Sequence, residues 1–105
     1  MPNVTIDAEQ VRELCERYGV RELALFGSVL REDFGPGSDI DVLVEYPPDT
    51  EASLLDFVAL QDDLEKVLGR RVDLVSKGGL KPHLQDRVLA QREIVMWKGM
   101  IASTV

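Results

Sequence analysis

The stretch Leu25-Phe26-Gly27-Ser28-Val29-Leu30-Arg31, with Gly37-Ser38-Asp39-Ile40-Asp41-Val42-Leu43-Val44 shortly after it, decides the fold of this chain. An apolar run enters a Gly-Ser turn, and a second apolar run begins on two aspartates separated by one residue. Alternate side chains on a strand share a face. Asp39 and Asp41 are therefore expected to project together, while Ile40, Val42, Val44 and Tyr46 turn the other way into a core. Neighbouring carboxylates repel unless a cation neutralises them, and an all-oxygen donor set suits a hard ion such as Mg²⁺. Gly27 lets the backbone pass close to a ligand, and a helix starting at Ser28 turns free N–H groups towards an anion. An anion cradle beside a divalent-cation site is what a nucleoside triphosphate requires.

Outward from this stretch, the pattern alternates helix and strand. Asp7 followed by Gln10 predicts a helix start, Val11, Leu14, Cys15 and Tyr18 form its apolar stripe, and Gly19 stops it. Residues 22–26 read as a buried strand, 28–34 as a short helix, and Gly35-Pro36-Gly37 as the loop that delivers Ser38 and Asp39. The second strand spans 39–46 and ends at Pro47-Pro48. Ser53 with Asp56 caps a helix to Leu68, with Leu54, Phe57, Val58, Leu64 and Leu68 as its stripe and Gly69 as its stop. A short strand over 71–75, a loop at Lys77-Gly78-Gly79, a helix from Pro82 to Gln91 and an edge strand over 93–97 complete the chain. This alternation predicts a small sheet covered by helices.

At 105 residues the chain has the length of one domain, residues 1–105, with a single core. A net charge of −7 opposes direct binding to a nucleic-acid backbone, whose phosphates are met by Lys and Arg. The acidity serves solubility or offers a docking face to a basic partner. Cys15 is the single cysteine, so no internal disulfide forms, and its place on the first apolar stripe makes it a core thiol. No apolar run reaches the length of a membrane span and no charged-then-apolar leader precedes the domain, so a cytoplasmic protein is expected.

The Gly-Ser turn, the short helix with an Arg and the Ser-Asp-x-Asp strand entry together resemble the DNA polymerase beta-like nucleotidyltransferase superfamily. Gly27, Ser28, Arg31, Ser38, Asp39 and Asp41 occupy that family's positions, and the resemblance is strong over residues 20–76. Leu30 stands where the family often has Ala and Glu32 where it often has Gly, both on the motif helix rather than among the metal ligands. A third carboxylate usually sits on the next strand, a place that Asp73 in Arg71-Val72-Asp73-Leu74-Val75 fits. The resemblance implies an α/β fold of the α+β type, with a mixed, antiparallel-tending sheet flanked by helices. It also implies transfer of a nucleotide from ATP with two Mg²⁺ ions. Asp39, Asp41 and Asp73 would be the catalytic and metal-holding acids, with Asp73 nearest the acceptor hydroxyl. Gly27 and Ser28 would hold the leaving pyrophosphate, with Arg31 and Ser38 beside the triphosphate.

In size the chain is similar to the minimal nucleotidyltransferases, which lack an acceptor-binding domain of their own. That likeness implies an antitoxin that moves AMP onto a hydroxyl of a helical HEPN-type ribonuclease toxin. Two alternatives stay open: an antitoxin that acts by binding alone, and the catalytic subunit of a small-molecule or RNA nucleotidyltransferase completed by a separate chain. Lys77 and Lys81 read as a solvated loop, with phosphate contact as the alternative, and His83 as a surface histidine. Trp97, in the apolar run from Val95 to Ile101, closes the domain's own core or binds a second chain, either another copy or the helical partner.

Overall fold

In the computed structural model, which describes residues 6–30, 35, 37–48 and 53–97, the first helix begins where the polar cap demands it. Asp7 Oδ1 accepts the N–H groups of Glu9 and Gln10 at 3.1 and 3.2 Å, and α1 runs Ala8–Tyr18. Its stripe of Val11, Leu14 and Cys15 is buried, and Gly19 closes the helix with its N–H on Cys15 and Glu16 carbonyls. Strand β1 (Glu22–Phe26) leads into a 3₁₀ turn at Gly27–Leu30. Then come β2 (Ile40–Glu45), α2 (Leu54–Leu68), β3 (Val72–Ser76), a 3₁₀ turn at Lys77–Gly79, α3 (Pro82–Gln91) and β4 (Glu93–Trp97).

The sheet is four-stranded, in the order β3-β2-β1-β4. β1 pairs antiparallel with β2 and β4, whereas β2 and β3 are parallel and joined through α2. The sheet is therefore mixed and mostly antiparallel, with β4 on one edge, as expected. Leu23 pairs with Met96 and Ala24 with Ile94, so Val95 is an extra residue that bulges the edge.

One face of the sheet carries the core. Leu23, Leu25, Ile40, Val42, Val44, Val72 and Leu74 pack there against Val11, Leu14 and Cys15 of α1 and Leu60 and Leu64 of α2. Tyr18 Oη donates to Asp63 Oδ2 at 2.6 Å and ties the two helices together. The edge of β3 is also secured. Val72 N–H donates to Glu65 Oε2 at 2.9 Å and Leu74 N–H to Gln61 Oε1 at 3.3 Å. Four helical residues rise about 6 Å, nearly the two-residue rise of a strand, so side chains four apart on α2 meet N–H groups two apart on β3. Asp73 lies between those two residues, on a strand fastened along both edges.

Three boundaries differ from the sequence reading. β2 starts at Ile40, so Asp39 ends the loop instead of opening the strand. β3 is displaced by one residue, to Val72–Ser76. The turn after β1 is 3₁₀ and starts at Gly27; residues 31–34 of the expected helix lie outside the described residues. The α2 stripe also needs correcting. Leu54 and Val58 are exposed, while Leu60 and Leu64 are fully buried with Phe57, Val67 and Leu68 packed beside them.

Candidate active site

The face of the sheet away from α1 and α2 is organised in rows set by strand register. Phe26 pairs with Asp41, and Asp41 with Asp73, giving a row that ends in two adjacent carboxylates. One step along the strands, Ala24 and Leu43 are buried, with Val75 beside Leu43. A further step reaches charged pairs: Lys77 Nζ lies 3.4 Å from Glu45 Oε1, and Arg92 Nε lies 3.0 Å from Glu22 Oε2. Lys77 therefore sits some four residues along the strand from Asp41, roughly 13 Å, occupied by Glu45 rather than facing the acids. A cleft of about 800 Å³ opens at that same far end, lined by Tyr46, Pro47, Leu54, Phe57 and Gln85 among others, and carries no acid pair.

Gly27 is the residue that makes the acid row possible. It follows Phe26 directly, so its backbone passes over Asp41, the partner of Phe26. Its φ is +73°, a left-handed conformation that residues with a Cβ adopt at a penalty. A Cβ at this position would also collide with Asp41 Oδ2. Two independent constraints thus require glycine here: the turn and the carboxylate. Ser28 is the second residue of the same turn, although its side chain lies outside what the structure describes. Arg31 lies outside the described residues altogether.

Ser38 and Asp39 arrive on a closed loop. Ser38 N–H donates to Gly35 O at 3.0 Å, and Gly35 N–H donates to Ser38 Oγ at 3.2 Å. Accepting that bond leaves the hydroxyl its own proton to donate. Asp39 is exposed, Asp41 half-buried and Asp73 exposed. The sequence reading overlooked Arg70, whose Nη2 donates to the carbonyls of both Gly35 and Ser38, at 2.5 and 2.8 Å. Its local signal is slight: an Arg between the helix-ending Gly69 and the third strand.

The donors at this end of the sheet are carboxylate oxygens, which suit Mg²⁺, and the absence of a Cβ at Gly27 is what lets Asp41 Oδ2 take its position there. Among the described residues, no three of His, Cys, Asp and Glu stand close enough together to enclose a metal ion in this conformation. His83 is exposed in the first turn of α3, and Lys81 is exposed just before it. Cys15 is buried, and desolvation, with the Glu16 carboxylate adding to it, pushes its thiol up to about 12. It is inert core, as its stripe position predicts. Among the described residues no helix is long and apolar enough to cross a membrane.

A sheet of this order, entered by a Gly-Ser turn over an aspartate and flanked by a second aspartate in parallel register, defines a nucleotidyl-transferring fold. The chain belongs to the nucleotidyltransferase domain family, which it matches over residues 8–95, and it is a nucleotidyltransferase. It is 46% identical over 84 residues to the protein adenylyltransferase MntA of Thermococcus cleftensis, covering 80% of this chain and 81% of that protein. A solved structure described as a minimal nucleotidyltransferase superposes with a TM-score of 0.70 at 41% identity, over 82% of this chain and 86% of that one. The fold is shared as well with a structure of a tri-AMPylated Shewanella oneidensis HEPN toxin in complex with MNT antitoxin. There the TM-score is 0.63 at 19% identity, over 92% of this chain and 75% of that one.

Proposed function

We propose that this protein transfers AMP from ATP to a hydroxyl group of a HEPN-type ribonuclease toxin, and so acts as that toxin's antitoxin in the cytoplasm. The observation that carries the reading is the placement of Asp41. It lies under a glycine that must be glycine and beside Asp73 in register. The likeness to an adenylyltransferase at 46% identity supports adenylate as the transferred group. The fold shared with an antitoxin bound to an AMPylated toxin supports the class of acceptor.

The acceptor oxygen attacks the α-phosphorus, the bond from that phosphorus to the bridging oxygen of pyrophosphate breaks, and the acceptor keeps AMP. Asp73 takes the hydroxyl proton, because it stands on the outer side of the acid row. Gly27 and Ser28 hold the departing pyrophosphate through backbone N–H groups, with Arg31 and Ser38 beside the triphosphate. Asp39 and Asp41, with Asp73, would hold Mg²⁺, which when bound neutralises the triphosphate and stabilises the attacking and leaving oxygens. The negative field of the chain turns nucleic acid away and favours a protein acceptor.

A second reading is an antitoxin that silences its partner by binding alone; among the described residues no three acids stand close enough to enclose an ion in this conformation. Labelling separates the two. With ATP labelled at the α-phosphate, Mg²⁺ and lysate of the source cells, a labelled protein is expected, and none with label at the γ-phosphate. Absence of label, together with a partner that still co-purifies, supports binding alone.

A further inference from the structure

Asp39 stands between two peptide planes, and both are tied to the same dipeptide. The plane before it contains the Ser38 carbonyl, which accepts from Arg70 Nη2 at 2.8 Å. The plane after it contains the Ile40 N–H, which donates to the Arg71 carbonyl at 2.9 Å. Because each peptide unit is planar and rigid, fixing one atom in each largely fixes the direction in which the Asp39 side chain leaves the backbone. Arg70 secures the loop at a second point, the Gly35 carbonyl, and this carbonyl also accepts the Ser38 N–H. Arg70 and Arg71 lead directly into β3, the strand of Asp73. The loop acid is thus referenced to the strand acid across a sequence gap of more than thirty residues.

We propose that Arg70 is a positioning residue for nucleotidyl transfer, holding Asp39 in register with Asp41 and Asp73 through the Ser38 carbonyl. The proposal rests on the reading of Asp39 as a working acid. Chain geometry explains the need. Asp39 precedes the first residue of β2, so strand pairing does not by itself set its position. The Arg70 guanidinium supplies charge-assisted donors to both loop carbonyls, those of Gly35 and Ser38.

Arg70→Met keeps the side-chain stem and removes the donors; Arg70→Lys restores donors. Amide hydrogen exchange reads the loop without any need for activity. In Arg70→Met, the Ser38 amide should exchange at least about tenfold faster, as expected for lost hydrogen bonds, while Val42 and Leu43 keep wild-type protection. AMP transfer should fall by about 10–100-fold, the usual consequence of losing a group that orients a ligand-bearing residue. Arg70→Lys should recover most of both. Unchanged Ser38 exchange in Arg70→Met overturns the proposal, whatever the activity. So does faster exchange with full transfer, because the loop would then be loose without consequence. If the wild-type protein transfers no AMP, the functional reading fails by itself, and the exchange result still decides whether Arg70 holds the loop.

Discussion

Gly27 and Asp41 face one another so closely that a methyl group on the first would occupy the space of the second's carboxylate oxygen. The turn that would cradle a triphosphate and the acid that would hold its counter-ion are therefore a single packed unit. Gly27→Ala should test this. Forcing a residue with a Cβ into φ +73° costs about 1–2 kcal/mol, and the displaced carboxylate adds a functional loss beyond that. Thermal melting is expected to show a modest decrease, with transfer of AMP reduced far more than the folded fraction explains. A variant that melts lower yet transfers normally would separate the turn from the acid.

The fastening of β3 gives a second prediction. Glu65→Ala leaves the Val72 N–H without its carboxylate acceptor, a loss of about 1–3 kcal/mol if water does not replace it. Glu65→Gln retains an acceptor oxygen and should restore most of that stability in denaturant titrations. Equal loss in both variants would mean that charge, rather than the edge hydrogen bond, is what matters.

Cys15 offers a prediction in pH. Its thiol keeps its proton in the folded chain up to about 12, against 9.0 when unperturbed. A group whose folded value is raised stabilises fully below the unfolded value and loses that contribution as pH rises through the folded one. Wild-type stability should therefore fall between pH 9 and 12 more steeply than that of Cys15→Ala. At pH 8 the native thiol should ignore a disulfide reagent that modifies the unfolded chain at once. Prompt modification of native protein would show that the α1 stripe opens readily.

Along α2, sequence periodicity and observed burial part company. Residues 54, 58 and 57, 60, 64, 68 form two overlapping helical stripes, and spacing alone does not choose between them. The choice is made by what the helix covers: its C-terminal half lies over the core face of the sheet, whereas Leu54 in the first turn is exposed. The side of the sheet that Asp41 takes was legible from the alternation with Ile40 and Val42, whereas Asp39 lies in the loop before β2, where strand alternation does not reach. The pairing of Asp41 with Asp73 required the parallel crossover through α2, which no local pattern encodes. Arg70 was invisible for the same reason, since its partners lie 32 and 35 residues earlier in a loop. Gly27 was readable as a close approach, but the atom it approaches emerged only from the Phe26–Asp41 register.

The central claim is that Asp41 serves transfer of AMP to a partner protein, and the most direct measurement is the intact mass of that partner. The protein carrying an affinity tag is expressed in its source cells, as wild type and as Asp41→Asn, and whatever co-purifies is weighed. The expected result is a partner heavier by one or more AMP units with wild type and an unmodified partner with Asp41→Asn, the two complexes forming equally. A partner of the same unmodified mass with both would contradict it.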